Sequence, residues 1–168
     1  MKRKEYLKVA LILPGNVLIT IPFLIFMFTR NSYSYYLVDF GNFLFYAAMF
    51  FLSMGLFLAV WSVQTFYTKG GEGTPGPWRP ISNLVISGPY RYSRNPMILG
   101  VVILLLFESA LFASMPFILW ATVFFVGNII YFKTFEEKQL IKRFGTDYED
   151  YKNKVPMLFP KFTPYNKE

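Results

Sequence analysis

The chain has 168 residues, 54% hydrophobic and 21% aromatic against 16% charged, with a formal net charge of +7. A composition this apolar excludes an ordinary soluble domain and points to a membrane. With no cysteine and no histidine, disulfides, Cys or His metal sites, thiol nucleophiles and imidazole bases are excluded too, which leaves carboxylates, tyrosines, amides, Arg, Lys or a cofactor for any chemistry.

Four apolar runs, 9–28, 43–63, 97–113 and 115–132, each approach the length of a bilayer crossing, the last two at the short end. The predicted fold is therefore an all-α, integral membrane four-helix bundle, one membrane domain over 1–168, with a cytoplasmic loop and C-terminal amphipathic helices. Lys2, Arg3, Lys4 and Lys8 precede the first run. Lys69, Arg79, Arg91 and Arg94 lie between the second and third, and the bases from Lys133 to Lys167 follow the fourth. Arg30 alone falls elsewhere, so the positive-inside rule predicts a cytoplasmic membrane with both termini and the middle loop inside. The net charge then reflects topology, and no nucleic-acid partner is expected. The basic start followed by an apolar run resembles a signal peptide, but no small-residue cleavage site precedes Arg30, so it reads as a retained span.

In chain order, Pro14, Gly15 and Pro22 predict a kinked or irregular first span whose freed carbonyls are covered by neighbouring helices. NSYSYY at 31–36 reads as an outer loop in an interfacial aromatic belt. In the second span Gly55 and Ala59 have the four-residue spacing that lets helices approach closely, and the helix should end at Gly70-Gly71. Residues 69–96 are rich in Gly and Pro yet carry Trp78, Tyr90, Tyr92 and an apolar LVI, which predicts an ordered loop on the cytoplasmic face. Gly71-x-Gly73 is no dinucleotide fingerprint, since no strand precedes it.

Ser114 and Met115-Pro116 leave room only for a tight turn, so spans three and four form an antiparallel hairpin. The fourth runs without a break into TFEEKQLIKRFG, where Leu140, Ile141 and Phe144 share one face of an amphipathic helix. Gly145 can cap it, and Thr146-x-x-Glu149 has the pattern of a capping box opening a short helix with Tyr148 and Tyr151.

Two features can carry chemistry. Glu108 lies deep in the third span, where a carboxylate is costly and faces a cavity or a partner such as Asn128 or Asn16. Glu136-Glu137 and Arg91-Arg94 fall at the same end of the hairpin, where they either wall a pocket, acids on one side and bases on the other, or stand as ordinary interfacial charge with the bases near headgroups and the acids solvated.

Taken together, GTPGPWRP, LVISGPYRYSRNPMILG and EEKQLIKRFGTDYEDYKNKVP resemble the C-terminal half of the isoprenylcysteine carboxyl methyltransferase and phospholipid methyltransferase superfamily. The resemblance implies a membrane enzyme that takes S-adenosylmethionine in a cytoplasm-facing site within 69–160, with no metal, and acts on a lipid or prenylated acceptor. It implies that Gly88, Tyr90, Arg94, Asn95, Pro96, Met97, Gly100, Glu136 and Glu137 line the cofactor site, with Tyr148 and Tyr151 as a lid near the substrate. Arg94 or Lys133 would position a carboxylate acceptor, and Glu108 would serve an amine. Many members have Arg-His-Pro where this chain has Arg94-Asn95-Pro96, and an amide can hydrogen-bond a ligand but cannot act as a base. Two other classes remain open: a nicotinamide-dependent reductase of the sterol-reductase type, and a non-catalytic membrane protein of the same fold.

Overall fold

The computed structural model describes residues 12–72 and 82–166; the first bases, GTPGPWRP and Lys167 lie outside the described residues. The described residues are helical with no strand, and three helices are long and apolar enough to cross a membrane: α1 (Ile12–Thr29), α2 (Phe43–Lys69) and the helix Met115–Phe144. The last comprises α4 (Met115–Tyr131), which is apolar, a π-helical turn Phe132–Glu136, and α5 (Glu137–Phe144), which is amphipathic. Between α2 and α4 lies α3 (Pro96–Leu111), and α6 (Thr146–Lys154) follows α5. Large side chains such as Ile19, Phe28, Phe50, Phe57 and Leu119 point outward, as they do when the solvent is lipid.

Irregularity in α1 follows from its prolines. The helix widens into a π-helical turn at Asn16–Thr20, and Pro22 has no N–H to offer the Val17 carbonyl five residues back. Trp120 of α4 supplies that bond instead, its Nε1–H donating to Val17 O at 3.1 Å. This is the coverage by a neighbouring helix that the sequence predicts.

The centre of the bundle is α3, buried from Val101 through Leu105. At 16 residues it spans about 24 Å, short of the roughly 30 Å hydrocarbon core, so this predicted span is shorter than the other three and is enclosed by them. It lies against α2 at small residues. A Cβ on Gly55 would stand 2.8 Å from Leu104 Cγ, and one on Gly100 would stand 3.0 Å from the Ala59 backbone nitrogen. The predicted close approach at Gly55 and Ala59 is present, and Gly100 completes it.

At one end α3 turns into α4. Ala113 takes φ 42°, and the Ser114 Oγ accepts from Phe117 N at 3.3 Å to cap α4, with Pro116 in the first turn. The tyrosine loop locks this hairpin, a finer role than an interfacial belt. Tyr33 donates to Ala113 O and accepts from Met115 N, and Tyr35 bonds Thr29 and packs on Phe26 and Phe117.

At the opposite, polar end α2 stops at Lys69, where Gly71 adopts φ +70°. Gly145, at φ +55°, separates α5 from α6. The capping box predicted at Thr146 does not form: Gly145 reverses the chain in one residue, Thr146 is already inside α6, and no side chain caps the helix. Leu140, Ile141 and Phe144 face a core of Tyr148, Tyr151, Val155 and Tyr165, joined by Leu84 and Ile86 of the loop.

Candidate active site

The polar end is assembled from three segments: the loop before α3, the α5–α6 pair, and the final stretch 155–165. Loop and final stretch run together through backbone bonds. Arg94 N donates to Pro156 O, Asn95 N to Met157 O, Lys161 N to Tyr92 O and Tyr165 N to Arg91 O, all at 2.9–3.0 Å. Side chains reinforce the seam, with Arg91 Nε donating to Tyr165 O, Ser93 Oγ to Met157 O, and Tyr151 Oη to Tyr90 O at 2.6 Å.

Arg94 is the hub. Its Nη1 donates to Glu137 Oε1 at 2.8 Å and to the Tyr148 hydroxyl at 2.9 Å, its Nε donates to Val155 O, and its guanidinium lies over the Phe132 and Tyr148 rings. Lys152 pairs with the other carboxylate oxygen of Glu137 at 2.6 Å. The side chains of Arg94 and Glu137 are 8% and 9% exposed. Acids and bases do meet at this end, as the hairpin requires, but they touch one another and do not form facing walls. The physical reason is desolvation: a buried charge needs its partner in contact.

Electrostatics separate the two adjacent acids. Burial pushes Glu137 up, but the hydrogen bonds and charges of Lys152 and Arg94 outweigh it and hold its carboxyl below the ordinary 4.5. Burial raises Glu136, and among the described residues nothing donates to its carboxylate. Burial also pushes the Tyr148 hydroxyl up to about 12, despite Arg94.

Asn95 has a buried side-chain donor left unsatisfied among the described residues. It stands immediately before Pro96 at the N-terminus of α3, its backbone N–H is used, and its side chain does not cap the helix. Its Nδ2 is buried with no acceptor among the described residues, and such an atom calls for a ligand or a water.

The other predicted site residues fall into distinct places. Pro96 is fully buried at the start of α3 and Met97 is half-buried beside it. Gly88 takes φ +55°, and a Cβ there would meet Thr65 Oγ1 at 2.7 Å, so the loop rests directly on α2. Tyr90 is buried with its ring 6.0 Å from Phe66. Tyr148 and Tyr151, 1% and 2% exposed, belong to the polar-end core. Lys133 is exposed on the π-helical turn, and Gly100 faces Ala59. Glu108 lies 13 residues along α3 from Asn95, about 20 Å away. Its Oε2 is buried without a partner among the described residues. Asn16 and Asn128 do not supply one; their side-chain amides donate to Ile12 O and Phe124 O of their own helices.

Sequence reasoning missed Lys152, Asp150 and the stretch 155–165. Tyr165 donates to Asp150 Oδ2 at 2.5 Å, and Val155, Leu158 and Tyr165 are buried. The signal was present only as composition: VPMLFPKFTPY repeats the Pro and aromatic character of the loop it pairs with.

Over 75 residues the chain is 36% identical to methanethiol S-methyltransferase 2 of Bradyrhizobium diazoefficiens, and the shared stretch covers 43% of this chain and 27% of that protein. No solved structure matches. The phospholipid methyltransferase family matches residues 43–147, which include α2, α3, α4, α5 and the Arg94–Glu137 pair. The chain is an integral membrane protein that belongs to the phospholipid methyltransferase family.

Proposed function

We propose that this protein transfers a methyl group from S-adenosylmethionine to a lipophilic acceptor at its polar end, which faces the cytoplasm, with residues 69–160 as the cofactor-binding half. The observation that carries the reading is the unpartnered, buried Nδ2 of Asn95 beside the Arg94–Glu137–Lys152 network, within the stretch the family matches. The donor set fits the cofactor. Asn95 offers an N–H to a carboxylate or a ring nitrogen, and the Glu136 carboxylate, which has no donor among the described residues, suits an ammonium.

When bound, the cofactor supplies an already activated methyl group, so the protein's work is to align an acceptor and exclude water. Arg94, Glu137 and Tyr148 hold the loop, α5 and α6 in one piece, and Tyr151 fixes the Tyr90 carbonyl. In this reading Tyr148, Tyr151, Gly88 and Gly100 support the site, and contact with ligand falls to Asn95, Met97, Glu136 and the exposed Lys133. Glu108, about 20 Å away, takes no part in holding the cofactor. A carboxylate or thiolate acceptor needs no base, whereas an amine must first lose a proton.

Three acceptor classes separate these options: a prenylated cysteine carboxylate, an ethanolamine phospholipid, and a small alkanethiol, the last suggested by the Bradyrhizobium relative's name. The test is transfer of a labelled methyl group from S-adenosylmethionine to each, by protein reconstituted in liposomes. Product from one class, lost in Asn95→Ala, is expected. No product from any, together with binding of a nicotinamide dinucleotide, would replace this reading with a reductase.

A further inference from the structure

The stretch 155–165 has a second face that the site does not use. Val155, Leu158 and Tyr165 turn inward, while Phe159 is 71% exposed and Phe162 101% exposed. Phe162 is the most exposed large hydrophobic residue among those described. Leaving a Phe ring in water forgoes roughly 1.5–3 kcal/mol of burial, and two rings flanking Pro160 and Lys161 make a compact apolar tip.

Its position sets what covers it. The Phe159 ring lies 6.2 Å from that of Phe125. Phe125 is six residues before the end of α4 at Tyr131, about 9 Å down the apolar helix. Its neighbours Val123, Val126 and Ile130 are themselves exposed on that helix. The short α3 acts in the same direction, because its reduced length draws 91–95, and the stretch bonded to them, toward the bilayer.

Irregular backbone is tolerated at that depth only where its polar groups are satisfied within the protein. Pro156, Pro160 and Pro164 carry no N–H, the N–H groups of Lys161 and Tyr165 are donated to Tyr92 O and Arg91 O, and the carbonyls of Pro156 and Met157 accept from Arg94 and Asn95. The N–H groups of Phe159 and Phe162 find no backbone acceptor among the described residues, which keeps the backbone of the tip at the headgroup level, where water reaches it, while the rings point deeper. The one charge near the tip is led away from it: Lys161 Nζ reaches back to Lys154 O at 2.9 Å, as a snorkelling lysine does.

We infer that residues 157–162 are an interfacial anchor inserted into the leaflet at the polar end, with Phe159 and Phe162 among the acyl chains and Lys161 at the headgroups. The partner is the phospholipid bilayer itself. Because Met157 O accepts from both Asn95 N and Ser93 Oγ, the depth of the anchor sets the position of the loop that carries Asn95. The inference rests on the chain being a membrane protein and not on methyl transfer.

The absence of cysteine makes the test clean. Phe162→Cys, Phe159→Cys, Ile130→Cys as a lipid-facing reference and Asn153→Cys as an aqueous one are each nitroxide-labelled in the full chain and reconstituted in phospholipid liposomes. Collisions with oxygen and with a water-soluble nickel chelate are then compared. Labels at 159 and 162 are expected to behave like 130, favouring oxygen, at a depth on the order of 5–10 Å below the headgroups. A label at 162 as open to the nickel chelate as one at 153 would overturn the anchor. Phe162 is fully exposed, so its replacement removes no packing contact, and this position decides even if the 159 variant fails to fold. A protein that inserts its anchor but transfers no methyl group would refute the proposed function and leave this inference standing.

Discussion

The two ends of the bundle solve the same problem with different chemistry. At the hairpin end, the turn between α3 and α4 is tied to the tyrosine loop by hydroxyls, backbone bonds and rings: Tyr33 to Ala113 and Met115, Val38 N to Leu111 O, Tyr35 against Phe117. At the polar end, the loop before α3 is tied to residues 155–165 by a backbone seam, and to α5 and α6 by a charge network in which the side chains of Arg94 and Glu137 are buried and that of Lys152 is partly exposed. Neutral groups are the cheaper way to close a fold, since burying ions carries a desolvation cost. Each end also leaves one buried polar atom unpartnered, Glu108 Oε2 and Asn95 Nδ2. Glu108 stands alone on an apolar helix, whereas Asn95 is next in the chain to Arg94, which binds Glu137 and Tyr148. A polar ligand finds several complementary groups only at the second.

The largest way to break this contrast is Arg94→Met. It strips Glu137 of one buried partner and Tyr148 and Val155 of their donor, and is expected to cost about 3–5 kcal/mol. The loss should appear as a lower unfolding midpoint in detergent and as faster amide exchange over 82–95 and 146–158, with 111–117 unaffected.

Acid should do part of the same damage. The folded-state carboxyl of Glu137 is held below its ordinary 4.5, so the stability it contributes is complete above that value and is lost as pH falls through it toward the depressed one. Amide exchange compared at about pH 6 and about pH 4 is expected to show the polar end opening before the hairpin end. Glu137→Gln should lower protection at the higher pH and shrink the difference between the two.

Tyr33→Phe, at the hairpin end, removes the acceptor of Met115 N and should cost about 1 kcal/mol, read as a small drop in unfolding midpoint with cofactor affinity unchanged. Glu108→Gln is likewise expected to leave that affinity unchanged. A Glu108→Gln variant that weakened cofactor binding as much as Asn95→Ala would erase the distinction between the two orphan atoms.

Much of the fold is legible in the residues because local signals and topology agree. Pro22 announces a freed carbonyl, Gly55 with Ala59 announces a close helix pair, and Ser114-Met115-Pro116 leaves space only for a hairpin. That hairpin in turn brings Arg94 and Glu137 to one end. Their direct contact is not legible, because it depends on burial, and burial is set with residues 155–165, whose partners in the loop lie 61 to 74 residues earlier in the chain. Those residues show neither helical nor strand periodicity and form their bonds in irregular conformation, so no period reveals them. The false capping box at Thr146 shows the converse: a local motif loses when one glycine with positive φ turns the chain a residue earlier. For the site, chemistry near Arg94 and Asn95 is legible from the cluster of polar groups beside an apolar run. That Arg94 holds the site together, and that Asn95 keeps a free donor, requires the geometry.

The most direct test of the central claim is calorimetric titration of the detergent-solubilised protein with S-adenosylhomocysteine, in wild type, Asn95→Ala and Tyr33→Phe, with NADPH as the parallel ligand. One saturable site is expected in wild type and Tyr33→Phe, with affinity about 10- to 100-fold weaker in Asn95→Ala, the range for a hydrogen bond to a charged group. The Asn95→Ala unfolding midpoint should be unchanged, since that amide nitrogen has no acceptor among the described residues. Equal affinity in wild type and Asn95→Ala, or binding of NADPH alone, would contradict the assignment of the polar end as a methyl-donor site.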